Sequence, residues 1–248
     1  MKTILLSLAA TRSLVAALVV ICGATGCSIK RMAVNKLGNA LAGSGTTFSS
    51  DDDPELVKAA VPFSLKLMES LLSESPKHQG LLFAASSGFT QYSYAFVQQD
   101  AEELEEKDVA AALAMRQRAA RLYVRARNYA LRGLEAAHPG FTNAFRANAL
   151  LAAKQLKKKD VPLAYWCAVS WAAAVASSKN NPDLIADLPK VEALIDRALQ
   201  LDEAFDHGAI HSFLITYELR RQGIQGDPVA RSRQHFARAM ELGDGQMA

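Results

Sequence analysis

Two histidines near the C-terminus have the spacing that zinc proteases use. His207 and His211 are four residues apart, so a helix would place both imidazoles on one face, one turn apart. Zinc proteases carry a glutamate directly after the first histidine, whereas this chain has Gly208 there. Because no clear third ligand follows, the sequence predicts a partly exposed pair of helix histidines without a metal or cofactor. A bare metal site is the less favoured alternative.

The cysteines indicate one lipid attachment site and one buried thiol. A basic and apolar N-terminal stretch ends in Ala24-Thr25-Gly26, which resembles a bacterial lipobox, so residues 1–26 are predicted to be a signal peptide and Cys27 to be lipidated. The alternative is an ordinary secreted protein with a spare thiol. Ser28 after the cysteine favours the outer membrane, with the protein in the periplasm. Cys167 lies in an apolar run and is expected in the core.

Other patterns of catalysis or of charge-driven binding are weak. The sequence has neither a Gly-x-Ser-x-Gly elbow nor a glycine-rich phosphate loop. The three aspartates at 51–53 lack the spaced ligands of a calcium loop, and Asp53 before Pro54 is better explained as a helix cap. With 28 Lys and Arg against 25 Asp and Glu, the formal net charge of +3 gives no footprint for nucleic acid. We therefore expect a binding protein rather than an enzyme.

The elements that position these residues are predicted to be helices throughout. The chain is rich in alanine, and no stretch alternates apolar and polar residues between hairpin turns. Apolar residues every four positions, from Ile29 through Leu37 to Leu41, indicate a short docking helix, and residues 43–47 a linker. The predicted organisation is a lipidated N-terminus, short helix and linker at 27–50, then one helical domain at 51–248.

Turn and cap residues divide that domain into predicted helices. One helix ends at Ser75-Pro76, and the following ones cover 107–137, 141–156, 161–177 and 184–201. A last helix begins after Gly226-Asp227, where Ser232, Phe236 and Ala239 follow the small–aromatic–alanine spacing of a tetratricopeptide repeat. In such repeats the aromatic side chain fills the gap between neighbouring hairpins. The expected fold is all-α, with stacked antiparallel helical hairpins in a tetratricopeptide-like, right-handed solenoid.

Aromatic residues provide the candidate ligand site. A helix would place Phe89, Tyr92 and Phe96 on one face, with Gln91 beside them as a polar anchor. Trp166, on a later helix, is a further candidate. Aromatic stripes are more often core than binding surface, so packing is the alternative for each.

The same region carries a family resemblance. The run from Ser75 to Gln98, the segment from Ala33 to Leu41, Arg121-Leu122-Tyr123, and Leu163 to Trp171 together resemble the T-component (TatT) family of lipoproteins associated with TRAP transporters. The resemblance covers about residues 28 to 245, and its motifs are structural rather than catalytic.

The resemblance implies a periplasmic, tetratricopeptide-like lipoprotein that forms a homotrimer. It also implies pairing with a TRAP-type solute-binding P component and help in delivering a small ligand, apolar or an organic acid, to a transporter. A second hypothesis is a scaffold lipoprotein for envelope assembly, whose concave groove would hold a peptide. A closed, aromatic-lined cavity favours the first hypothesis, whereas an open groove rich in Asn and Lys favours the second.

Overall fold

The computed structural model describes residues 32–43, 50–178 and 180–244. Within these ranges all regular secondary structure is helical, which confirms the predicted all-α class. In the described part of the chain, no helix is both long and apolar enough to cross a membrane. The predicted signal peptide and Cys27 lie outside the described residues, and so do Ile29 and most of the predicted linker.

Thirteen helical elements and two short turns make up the described fold. In chain order they are α1 (32–42), α2 (Pro54–Glu74), α3 (Gln79–Tyr92), a π-helical segment (Ser93–Gln98), α4 (Gln99–Leu104), α5 (Val109–Ala137), α6 (Phe141–Ala147), α7 (Ala149–Ala153), α8 (Val161–Ala176), α9 (Pro182–Ala186), α10 (Leu188–Leu201), α11 (Ala209–Tyr217) and α12 (Pro228–Leu242). The two turns are 3-10 helices at Lys158–Asp160 and Phe205–Gly208.

Aspartate caps begin several of these helices. The Asp53 carboxylate accepts a hydrogen bond from the Leu56 amide at 3.0 Å, which confirms the predicted cap. Asp108 and Asp227 act in the same way at the start of α5 and α12. Each carboxylate satisfies an amide that has no partner inside its helix.

Two predicted helices are each divided into two. Asn148 has extended backbone angles, and its side chain accepts a hydrogen bond from the Leu151 amide at 2.9 Å. This cap ends α6 and begins α7 within the predicted helix 141–156. The predicted helix 184–201 is likewise divided, because α9 ends before Asp187 and α10 begins after it.

The helices pack mainly against their neighbours in the chain. The long helix α5 packs against α3 and α8, which also contact each other; α8 then packs against α10, and α11 pairs with α12. Gly133 of α5 allows close packing, since a Cβ there would lie 2.8 Å from the Leu163 Cδ1 atom of α8. Ser232 and Ala239 of α12 are buried, whereas Phe236 is 49% exposed and fills no gap between hairpins. The solenoid and its handedness therefore stay predictions.

Candidate ligand-binding cavity

An apolar cavity of about 260 Å³ lies between α1, α2, α3 and the π-helical segment. Helix α1 contributes Leu41 and Ala42 to its wall, and α2 contributes Val57 and Val61 among others. The cavity is larger than the cavity of roughly 150 Å³ that is known to hold benzene in a protein core. It therefore has room for a small apolar molecule.

Helix α1 forms this wall because it packs closely against the start of α3. A Cβ on Gly38 would lie 2.9 Å from the Leu81 Cδ1 atom, so glycine allows this close approach without displacing the leucine side chain. The Ser75 hydroxyl donates a hydrogen bond to the Asn35 side chain at 3.0 Å, which fixes the helix at its other end. Leu37, on the predicted docking face, is instead 47% exposed. The face that packs thus includes Gly38 and Leu41, so the regular apolar spacing predicted the contact of Leu41 but not the exposure of Leu37.

The α3 wall contains hydroxyl groups that bond within their own helix. Ser87 donates to the Phe83 carbonyl at 3.1 Å and to the Ala84 carbonyl at 3.3 Å. Such bonds satisfy the hydroxyl without a ligand, so a serine can line an apolar cavity. Ser93, the first residue of the π-helical segment and outside the cavity lining, bonds in the same way to the Phe89 carbonyl at 2.6 Å.

Three of the predicted ligand-binding residues line the cavity together. These are Gln91, Tyr92 and Phe96, with the rings of Tyr92 and Phe96 5.7 Å apart. Tyr92 is 9% exposed, and its hydroxyl oxygen lies 3.4 Å from a guanidinium nitrogen of Arg118. Gln91 is exposed, and its amide lies 3.4 Å from the Ser87 carbonyl. The tyrosine hydroxyl and the glutamine amide are therefore polar groups at an apolar cavity.

The other two predicted residues lie elsewhere. Phe89 stacks on Tyr129 of α5 with ring centroids 5.9 Å apart, and Trp166 packs edge-on against Tyr165 at 5.1 Å. Neither Phe89 nor Trp166 lines the cavity. Phe89 faces α5 from within regular α3 and so lies off the stripe that lines the cavity, whereas Phe96 lies in the π-helical segment that follows.

Sequence reasoning missed the contributions of α1 and α2. Val57, Val61, Leu65 and Met68 of α2 all line the cavity. Their spacing of four, four and three residues is a helical stripe that was visible in the sequence. Of these four residues only Leu65 and Met68 are buried. Val57 and Val61 stay partly exposed because they border the cavity rather than a neighbouring helix.

The predicted histidine pair does not form. His207 is exposed and has a left-handed backbone, φ +54°, because the chain turns here before α11 begins. His211 is buried, and its Nδ1 atom lies 2.8 Å from Nδ1 of His235 on α12. Across the part of the chain that the structure describes, no group of three His, Cys, Asp or Glu side chains could hold a metal ion.

Cys167 occupies the predicted core position. The side chain is fully buried, and burial raises the pKa of the thiol to about 12. A thiol in this state is protonated and is a poor nucleophile at neutral pH. This agrees with a packing role for Cys167.

Comparison with known proteins places the chain in a family. An uncharacterized protein of Treponema pallidum (strain Nichols) is 31% identical over 210 residues, which cover 77% of this chain. The match spans 65% of the length of that relative. The model of the TRAP transporter T-component family matches residues 50–248, which include α2 to α12 and most of the cavity wall. The chain therefore belongs to the TRAP transporter T-component family.

Proposed function

We propose that this protein is a periplasmic accessory component of a TRAP-type transport system and that its cavity binds a small apolar ligand. In this proposal Cys27 carries a lipid anchor, most consistent with the outer membrane, and the protein acts without catalysis. A homotrimer binds a solute-binding P component and passes ligand to or from it. Family membership supports the transport role. The apolar cavity between α1, α2 and α3 is the observation that supports ligand binding.

The ligand class follows from the lining. Aliphatic and aromatic side chains make up most of the wall, so transfer of apolar ligand surface from water is favourable. The Tyr92 hydroxyl and the Gln91 amide can each hydrogen-bond one polar group on an otherwise apolar molecule. Arg118 beside the Tyr92 hydroxyl also suits a carboxylate at that end of the ligand. An organic acid with an apolar body therefore fits as well as a neutral apolar molecule.

A pair of tyrosine variants tests the cavity as the ligand site. An environment-sensitive naphthalene fluorophore serves as the apolar probe, and its affinity is measured by titration. Tyr92→Ala should weaken binding about tenfold or more, because a ring that contacts the ligand is removed. Tyr94→Ala is the matched control, since Tyr94 is two residues away but 57% exposed and outside the lining. Equal affinities for the two variants would refute ligand binding in this cavity.

The transport role needs a separate test with a protein partner. The solute-binding protein encoded nearest to this chain would be purified and titrated against it by calorimetry, with and without the probe. Binding that is linked to probe occupancy supports ligand transfer between the two proteins. A weak transient complex has a Kd of about 100 μM. Absence of any interaction at protein concentrations near that value would contradict the partnership.

A further inference from the structure

One exposed face of α5 carries a row of arginines. Arg118, Arg125 and Arg132 are seven residues apart, so they lie along one side of the helix, and Arg121 flanks the first two. We call these four residues the arginine row. At 1.5 Å per residue, the three at heptad spacing follow one another at about 10.5 Å and span about 21 Å.

Aromatic rings hold the three guanidinium groups at heptad spacing. Arg125 lies 4.9 Å above the centre of the Phe89 ring, Arg132 lies 5.2 Å above Tyr129, and Arg118 lies 6.0 Å from Tyr92. A stacked guanidinium still has N–H groups for a second partner, although one N–H of Arg118 donates to the Tyr92 hydroxyl at 3.4 Å and one of Arg132 to the Pro76 carbonyl at 3.3 Å. Because its rotamers are already restricted, it also loses less conformational entropy when that partner binds.

The arginine row has little negative charge to neutralise it. Among the described residues, no carboxylate lies within ion-pair distance of Arg118, Arg121 or Arg132. Arg125 pairs with Glu69 of α2 at 2.5 Å. Glu69 also accepts a hydrogen bond from the Tyr129 hydroxyl at 2.6 Å, and Lys66 lies 2.7 Å from its other oxygen.

Glu69 shows how the row holds a carboxylate. Burial by itself would raise the pKa of this group, but hydrogen bonds from Lys66 and Tyr129 and the charge of Arg125 lower it. A single carboxylate is thus held by an arginine and a tyrosine hydroxyl at the middle of the row. The positions on either side, at Arg118 and Arg132, present the same guanidinium edges without a carboxylate.

We propose that the arginine row docks an acidic helix of a partner protein whose carboxylates face Arg118 and Arg132, two heptads apart, since Arg125 is already paired with Glu69. A helix lying along α5 with a carboxylate at every seventh residue would place two of them at this interval of about 21 Å. A single line of cations matches one helix better than the plane of a bilayer, and the formal net charge of +3 gives no general attraction for nucleic acid. Arg118 at one end of the row also contacts the cavity residue Tyr92, whereas Arg125 and Arg132 lie outside the cavity lining, so Arg132 tests this surface separately from ligand binding.

A pair of isomeric peptides tests the match of spacing. The first is a 22-residue alanine-based helical peptide with glutamate at every seventh position, and the second has the same composition with its glutamates spread around the helix. Binding of each to the full chain is measured by fluorescence anisotropy at low and at moderate salt. The first peptide should bind about tenfold more tightly, and its affinity should fall with salt.

Substitutions in the row assign the binding to it. Arg118→Gln and Arg132→Gln should each reduce the affinity for the heptad peptide about three- to tenfold, since each removes one charge-assisted contact. Arg233→Gln on α12 is the matched control, because Arg233 is also an exposed helix residue, and it should leave the affinity unchanged. Melting curves followed by circular dichroism confirm that the variants are folded.

Several results would overturn the proposal. One is equal affinity of the two peptides, and another is unchanged affinity in both row variants. A third is a Kd above about 1 mM for the heptad peptide, the one with glutamate at every seventh position. Tighter binding to anionic phosphatidylglycerol vesicles or to a single-stranded oligonucleotide than to the heptad peptide would also overturn it, because the row would then serve a different class of partner.

Discussion

Filling the cavity from the α3 side should stabilise the protein and abolish ligand binding. The change we consider is Ser87→Leu. Ser87 is buried, lines the cavity, and bonds only to the Phe83 and Ala84 carbonyls of its own helix. Those carbonyls also accept the ordinary helical hydrogen bonds, so removal of the hydroxyl leaves none of them without a partner.

The size of the effect follows from the space beside Ser87. Leucine adds about three carbon groups, and burial of each contributes about 0.8 kcal/mol, or about 2.4 kcal/mol in total. Restriction of the leucine rotamers costs about 0.5 to 1 kcal/mol. The unfolding free energy should therefore rise by about 1 to 2 kcal/mol, which raises the melting temperature by about 2 to 8 °C in a protein of this size.

Ser170 offers a matched control in a solid part of the core. Its hydroxyl also bonds to carbonyls three and four residues earlier, those of Cys167 and Trp166, and the residue is fully buried. It lines no part of the cavity. Ser170→Leu should therefore overpack the core and reduce the unfolding free energy by about 1 to 3 kcal/mol.

Urea unfolding of both variants and titration with the naphthalene fluorophore give the two measurements. We expect Ser87→Leu to be stabilised and to lose at least tenfold in probe affinity. We expect Ser170→Leu to be destabilised and to bind the probe normally when folded. Destabilisation of Ser87→Leu by as much as Ser170→Leu would show that the cavity has no usable space, and unchanged probe affinity would show that ligands bind elsewhere.

Three further substitutions test the remaining expectations. Cys27→Ala should release the protein from the membrane fraction and abolish palmitate labelling, and continued membrane fractionation would contradict lipidation of this residue. Cys167→Ser should preserve binding and cost about 1 to 2 kcal/mol of stability, and lost binding with an unchanged melting temperature would refute the packing role. Trp166→Ala should cost about 2 to 3 kcal/mol of stability without changing the probe affinity, whereas Tyr92→Ala should cost less stability and weaken probe binding. Equal destabilisation by both, with unchanged binding, would refute the assignment of a structural role to Trp166 and a ligand-binding role to Tyr92.

Much of the fold was predictable because its signals are local. Asp53 before Pro54 sets the start of α2, and Leu65, Met68, Leu71 and Leu72 are buried on it as the helical spacing predicts. The same reasoning placed the start of α12 after Asp227. These features depend on residues within two turns of one another, so a single sequence carries them.

Features set by packing between distant segments were not predictable. The face of α1 that docks depends on the close approach of Gly38 to Leu81, more than forty residues away, which a count of apolar spacings does not reveal. The π-helical segment that contains Phe96 was not predictable either, because no residue pattern in the sequence indicates it. Gln91, Tyr92 and Phe96 were correctly grouped because they lie on adjacent turns.

The partner of His211 is another long-range feature, and it has a consequence for pH dependence. Burial is the main cause that lowers the pKa of both His211 and His235 below the ordinary value of 6.5. Glu203, 3.6 Å from Nε2 of His211, opposes this shift, and Arg238 supports it. For His235 the charge of His211 adds to the lowering, as do nearby arginines at 221 and 231, and Glu218 opposes it.

Below pH 6.5 the unfolded chain therefore binds protons that the folded protein excludes. Only one proton fits between two Nδ1 atoms 2.8 Å apart, so protonation of both rings would break the contact between α11 and α12. Stability is then complete above about pH 7 and falls as the pH drops through 6.5 toward the folded pKa values, by up to about 1.4 kcal/mol per pH unit for each histidine. Urea unfolding at pH 7.5, 6.5 and 5.5 measures this slope. His235→Gln should reduce it, whereas His207→Asn, at an exposed left-handed position that asparagine tolerates, should not. The same slope in the wild type and in His235→Gln would show that the buried pair is not the origin of acid sensitivity.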